Sequence, residues 1–163
     1  MKHRMHSPIM KDYISKNNPD IIALVETKNS KSGSLPNIMN YSKFSKGAKI
    51  QNSHPSGGIA FYFHNRLKRS IQRLKIVRQH NILWVRLRTN SRDLTIGTIY
   101  CRNAEQKYKD EISEFYEVLT RDTLKYAAAG DVLLLGDFNA RLGDLTGDHA
   151  VNSNKEEFLA FLH

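Results

Sequence analysis

Five residues suited to phosphate-ester chemistry each stand at or just beyond the end of an apolar run: Glu26 after Ile21 to Val25, Tyr100 and Asn103 at the close of Leu94 to Tyr100, and Asp137 and Asn139 after Val132 to Leu135. The Glu26 and Asp137 carboxylates are hard oxygen donors of the kind that hold Mg²⁺ or Mn²⁺ while leaving positions for water and a phosphate. Asn103 and Asn139 can orient a nucleophilic water or stabilise charge on a phosphoryl oxygen, and the Tyr100 hydroxyl can donate to a phosphate. As a set they suit metal-assisted phosphodiester hydrolysis. Singly, each has an ordinary explanation: Glu26 as a surface residue after a strand, Tyr100 as a core aromatic, Asp137 with Asn139 as an Asx-type turn.

Such residues act together only if the fold gathers them. Ser7 as N-cap and Pro8 at the first helical position, with Ile9, Met10, Tyr13 and Ile14 at helical spacing, predict a short helix stopping near Asn18. Ile21 to Val25 is too short for a helix and rich in β-branched residues, so it reads as a buried strand leading to Glu26 and a polar loop with Gly33 and Pro36. Gly57 and Gly58 introduce a strand over Ile59 to Phe63; Ile71 to Val77 and Ile82 to Leu87 follow as two more, joined through Gln79, His80 and Asn81. In the second of these, Leu83, Val85 and Leu87 alternate with Trp84, Arg86 and Arg88, the pattern of one buried and one wetter face. After the strand Leu94 to Tyr100 the period changes: Ile112, Phe115, Tyr116 and Leu119 predict a helix ending near Ala128, with Gly130 as C-cap. A last amphipathic stretch runs from Glu156 to Leu162. A helical crossover between Leu94–Tyr100 and Val132–Leu135 makes those strands parallel neighbours with a right-handed connection. Tyr100 and Asn103 then share a sheet edge with Asp137 and Asn139, where ligands of such sheets gather, and Glu26 is a candidate for the same edge.

Charge points to the partner. The 163 residues carry 25 Lys and Arg against 16 Asp and Glu, and from Thr27 to Arg92 there is no acidic residue. A polyanion such as nucleic acid complements that field; a solvated basic face is the bland alternative. With 40% hydrophobic residues the length suits one domain with a real core. The single cysteine, Cys101, excludes an internal disulfide and fits a reducing, intracellular and, for a DNA partner, nuclear setting. No stretch approaches membrane-spanning length and no apolar segment follows Lys2, His3 and Arg4, so no membrane association is expected.

The ordered motifs resemble the endonuclease/exonuclease/phosphatase family. Asp20 to Lys28 is similar to its strand-plus-ETK motif, Gly57 to Phe63 to its GG-aromatic strand, Trp84 to Leu87 to its WV-x-L strand, Leu94 to Asn103 to its I-Y-x-x-N segment, and Gly136 to Arg141 to its GDFNAR motif. The flavour is closest to the endonuclease domains of non-LTR retrotransposons. This resemblance implies a mixed α/β fold, a DNase I-like two-sheet β-sandwich flanked by helices, with a divalent-metal phosphoesterase site at one end. It implies Glu26 as the metal ligand and Asp137 as the residue that positions or activates the attacking water. Asn139 would contact the scissile phosphate, Tyr100 would support that phosphate or a water at the metal, and Asn103 would add a hydrogen bond. Lys28 matches the ETK lysine near the phosphate. Asn154, ahead of Asn152, corresponds to a DNA-contacting asparagine.

The departures also carry weight. The family opens with a strand bearing a metal-site asparagine and closes with a Ser-Asp-His segment; neither is found in residues 1–163, which implies an incomplete sandwich, roughly its middle two-thirds, open to completion by missing segments. Arg102 stands where the family often has proline, which should loosen the turn between Tyr100 and Asn103. The expected function is therefore a Mg²⁺- or Mn²⁺-dependent DNA endonuclease-like domain impaired by what it lacks. Its competitors are a noncatalytic basic remnant that only binds nucleic acid, and a phosphatase of the same fold acting on inositol phosphates or lipids.

Overall fold

The computed structural model describes residues 8–30, 35–51, 53–145, 147 and 149–162. Helix α1 (Pro8–Asn17) leads into β1 (Ile21–Val25), as the spacing predicts; Ser7, the expected N-cap, lies outside the described residues. Then come β2 (Tyr41–Lys46), β3 (Lys49–Gln51), β4 (His54–Ser56), β5 (Ile59–His64), β6 (Ile71–Val77), β7 (Asn81–Leu87) and β8 (Leu94–Tyr100). Helix α2 (Lys109–Ala127) crosses to β9 (Asp131–Asp137), and α3 (Asn154–Leu162) follows.

Two sheets face each other. One has the order β1-β5-β2 and the other β6-β7-β8-β9, while among the described residues β3 and β4 pair with each other alone. Apolar side chains from both sheets interleave between them: Ile59, Phe61 and Phe63 from β5 meet Leu83 and Val85 from β7 and Ile96 and Tyr100 from β8. On the outer face of the larger sheet, α2 lays Ile112, Phe115, Tyr116 and Leu119 against Ile82, Trp84 and Ile99. Sheets cannot leave an apolar face in water, so this two-sided burial is what makes the layered architecture stable.

That second layer changes one expectation. The face bearing Trp84 is not the wetter one at that position: Trp84 is 0% exposed, because α2 covers it. Its indole N–H donates to Asp122 at 3.1 Å, and Lys75 reaches the same buried carboxylate at 2.9 Å. Two further differences are local. Ala128, rather than Gly130, caps α2, and Asn81 belongs to β7 rather than to the turn before it. Strands β2, β3 and β4 lie where the sequence suggests only loop.

The predicted parallel pairing of these two strands holds. β8 and β9 pair in parallel, with Ile99 opposite Gly136 and Tyr100 opposite Asp137. Position 136 must be glycine for this: its φ is +148°, and a Cβ there would lie 1.9 Å from the Ile99 carbonyl oxygen. Gly136→Ala should therefore force β9 away from β8 and cost about 3 kcal/mol or more. Urea unfolding of the two proteins measures the difference; an alanine variant of unchanged midpoint would contradict this reading of the contact.

Candidate active site

One row of three residues crosses the end of the larger sheet: Asn81 opposite Tyr100, and Tyr100 opposite Asp137. At the facing end of the other sheet, Val25 pairs with Ile59 and Ile59 with Lys46, so Glu26 leaves β1 at the same end of the sandwich. The Tyr100 side chain packs in the core between the two sheets. Burial, then the negative charges of Glu26 and Asp137, push its pKa up to about 12, and Glu26 is within hydrogen-bonding reach of it. The phenol thus stays protonated at any physiological pH and serves as a donor.

Three of the six non-glycine residues with positive φ among the described residues lie at this end. Glu26 (φ +52°), Lys28 (φ +52°) and Asn139 (φ +49°) are non-glycine residues in the left-handed region, a conformation that costs roughly 1–2 kcal/mol each. Each is held by fixed partners. The Thr27 and Lys28 amides donate to the Gly58 and Gly57 carbonyls at 3.0 and 2.9 Å. The Asn139 amide donates to Asp137 Oδ1 at 2.8 Å, and its Nδ2 donates to the Cys101 carbonyl at 2.7 Å. The first of these bonds fixes the Asp137 carboxylate and leaves Oδ2 for another partner. Asp137, Asn139 and Asn103 line one open depression of about 720 Å³ with Phe138, Arg141 and Asn152.

A profile of the Endonuclease/Exonuclease/phosphatase family matches residues 9–157. The chain belongs to that family. Solved structures agree on the fold. The endonuclease domain of TRAS1, a telomere-specific non-LTR retrotransposon, superposes with a TM-score of 0.60 at 14% identity, over 93% of this chain and 60% of that one. A humanized D. rerio TDP2 carrying 14 mutations gives 0.54 at 14% identity, over 87% and 58%. The human Nocturnin catalytic domain, with bound sulfate, gives 0.52 at 14% identity, over 80% and 55%. The chain therefore spans 55–60% of the length of these three relatives. No match to a curated protein sequence was found.

Within this family fold, the residues singled out from sequence fall into three groups. Asp137 stands opposite Tyr100, and Glu26 lies near enough to act on the same phenol; Asn103 and Asn139 share the depression with Asp137; Lys28 pairs with Glu26 at 3.1 Å, both side chains about half exposed. Asn154 stands apart. It is 0% exposed, and its Nδ2 donates to the Arg102 carbonyl at 2.8 Å and the Asn139 carbonyl at 3.2 Å. It therefore ties together the two loops that carry Asn103 and Asn139, and offers a ligand no surface. Asn152 does related work nearer the surface, donating to the Asn139 carbonyl at 2.6 Å.

Arg102 also behaves differently from expectation. Its guanidinium meets Glu111 at 2.8 Å and stacks 3.6 Å from the Tyr108 ring centroid, so the turn after Tyr100 is pinned to the start of α2 rather than loosened. Sequence reasoning counted Lys46 only as one cation of the acid-free stretch and Asn81 only as a turn residue, and gave neither a part in the site. Asn81 Oδ1 accepts from the Lys46 ammonium at 3.1 Å and from the Gly58 amide at 3.2 Å, linking both sheets at the site end. Neither stands at a strand end that the sequence pattern reveals, since β2 reads as loop and Asn81 as part of a turn.

Two outcomes follow. Asn154→Ala should cost about 2 kcal/mol in urea unfolding and speed amide exchange in the Arg102 and Asn139 loops; unchanged exchange there would contradict the tethering role. Burial lowers the Lys46 pKa to about 8 from 10.5, so its charge opposes folding at neutral pH. The unfolded chain holds that proton more tightly, so the penalty fades as pH rises from about 8 to 10.5. Lys46→Met should accordingly raise Tm at neutral pH, with a gain that shrinks across that range; a gain independent of pH would contradict it.

Proposed function

We propose that this end of the sandwich is a divalent-metal-assisted phosphodiesterase site acting on nucleic acid, of the DNA endonuclease type. The single observation that supports it most is that Glu26 and Asp137, from different sheets, stand at the same end of the sandwich on either side of Tyr100, with Asp137 directly opposite Tyr100 in the strand register and both carboxylates near enough to act on its phenol. Family membership and a fold shared with the TRAS1 endonuclease domain point the same way.

The donor set suits Mg²⁺ or Mn²⁺. Mg²⁺ keeps several waters and is commonly held by one or two carboxylates plus substrate phosphate oxygens, and Glu26, with Asp137 close by, offers hard oxygens of that kind. A cation held there would supply Lewis-acid stabilisation of the charge that develops on the phosphate. The remaining work belongs to side chains. Asp137 Oδ2, left free while Oδ1 accepts the Asn139 amide, receives the proton of the attacking water. The protonated Tyr100 hydroxyl donates to a phosphoryl oxygen, and the second Nδ2 hydrogen of Asn139 and the exposed Asn103 carboxamide add donors beside it. Lys28, on its flexible stem, exchanges Glu26 for phosphate when substrate arrives. Asn154 acts by positioning the Asn139 and Arg102 loops, and the chain acts as part of the family domain.

A second reading, noncatalytic binding of nucleic acid, is favoured by one observation: the basic, acid-free stretch offers charge to a polyanion whether or not a metal is held. The acid-free stretch from Thr27 to Arg92 suits a long polyanion better than an inositol phosphate. A nicking assay on supercoiled plasmid separates the two. Metal-dependent nicking that EDTA abolishes, and that Asp137→Ala lowers by roughly 10²-fold or more, is the expected result. Equal cleavage by both proteins would remove Asp137 from the mechanism, and salt-sensitive binding without cleavage would favour the second reading.

A further inference from the structure

At the end of the sandwich away from Tyr100 and Asp137, α1 and the segment leading into β2 enclose a cavity of about 520 Å³. Tyr41 opens β2 there and Lys46 closes it beside the candidate active site, so five strand steps, about 17 Å, separate the two places. Buried Ile14, half-buried Ile38 and Tyr41 and the exposed Met39 give the cavity its apolar lining. Lys11, Asn18 and Asn40 stand exposed around it, and among the described residues neither the ammonium nor the two carboxamides have a partner. Fixed bonds hold the walls. The Pro36 carbonyl accepts the Tyr62 hydroxyl at 2.8 Å, and the Asn40 carbonyl accepts the Asn65 amide at 2.7 Å. Arg66 donates to the Asn18 carbonyl at 3.2 Å, so the loop between β5 and β6 borders the cavity. That loop takes up Asp20 through Arg66, while Lys68 and Arg69, also exposed, pair with no acid among the described residues.

We propose that this cavity receives one unpaired base of a nucleic-acid strand whose phosphates lie along Lys68 and Arg69, a second contact remote from the candidate active site. This rests on the nucleic-acid reading above. Ligand cavities are largely apolar with a few placed polar groups, and an unstacked base asks for both: an apolar or aromatic surface against its face and hydrogen bonds to its edge. The Asn18 and Asn40 carboxamides each carry the donor and the acceptor that such an edge requires. The cations beside the cavity select a phosphate-bearing ligand over a neutral sugar or peptide. A base inside a duplex has its faces stacked and its edge paired, so the partner is single-stranded or locally opened.

Fluorescence anisotropy of the full chain on a short labelled single strand and on a blunt duplex of the same sequence, with EDTA present to prevent cleavage, provides the test. Met39→Ala combined with Lys11→Gln, at two exposed positions on which the fold does not rest, should weaken single-strand binding several-fold and leave duplex binding unchanged. A strand of abasic sugar-phosphate, which keeps the charge and removes the bases, should bind the wild type more weakly than the intact strand, and the double variant should lose that discrimination. Lys68→Gln combined with Arg69→Gln should reduce the slope of log K against log[salt] on the single strand by about 1.4. Free AMP should compete only at concentrations far above that of the strand; AMP that binds as tightly as the strand would identify a free-nucleotide site and overturn the strand contact. Single-strand binding unaffected by the double variant, or equally sensitive to base removal with and without it, would overturn the cavity's role while leaving the nucleic-acid reading intact. Absence of salt-dependent binding to either nucleic acid would overturn both.

Discussion

The close approach of Gly136 to the Ile99 carbonyl is the constraint on which the site end of this sandwich depends. Without a side chain at 136, β9 runs against β8 for one more step, bringing Asp137 opposite Tyr100 and letting the Cys101 amide donate to the Asp137 carbonyl at 2.8 Å. That step fixes the height of a carboxylate beside a buried phenol. Everything beyond it is anchored in turn: Asn139 turns back to hydrogen-bond both Asp137 and Cys101, and Asn154 grips the Asn139 and Arg102 carbonyls from below. A strained left-handed residue at 139 is tolerable because these contacts over-determine it.

The larger sheet and its crossover were legible because their apolar runs are long and bounded by turn residues, and because a helix between two strands permits essentially one parallel, right-handed arrangement. Glu26 and Asp137 could be placed at strand ends for the same reason. What could not be read was the stretch from Tyr41 to Ser56. In β2 the two aromatics, Tyr41 and Phe44, stand three apart and serve opposite faces, Tyr41 packing in the outer cluster with Leu35 and Tyr62, Phe44 in the cluster between the sheets. No two-residue period survives that. Strands β3 and β4 contain only three residues each, too few to carry a pattern. Asn154 was recognised as a notable asparagine, but its burial depends on a helix start and two distant loops meeting, which no local spacing encodes.

The basic excess divides in a way that composition conceals. Several cations of the acid-free stretch are taken up by partners within the chain: Lys75 on buried Asp122, Arg66 on exposed Asp20 at 2.6 Å, Arg92 on exposed Asp131 at 3.3 Å, and Lys43 on the Leu35 and Pro36 carbonyls. Their acidic partners come from before or after the stretch, so it is cross-linked to the rest of the chain by charge as well as by sheet pairing. Exposed pairs of this kind contribute little individually, and their effect is to narrow the region of unspent positive field. Lys28 and Lys49 lie at the end of the sandwich where Glu26, Tyr100 and Asp137 meet, so attraction of a polyanion and the chemistry of its backbone fall together.

Titration of isotopically labelled protein with Mn²⁺, followed by NMR line broadening, tests most directly whether the two sheets share one cation. A paramagnetic ion held between Glu26 and Asp137 should broaden the Thr27, Cys101 and Phe138 amides together and before any others, with Mg²⁺ competing the effect away. Broadening that begins elsewhere, for example at the acidic first turn of α2 around Asp110 and Glu111, or that reaches β1 and β9 at different Mn²⁺ concentrations, would contradict a shared metal site.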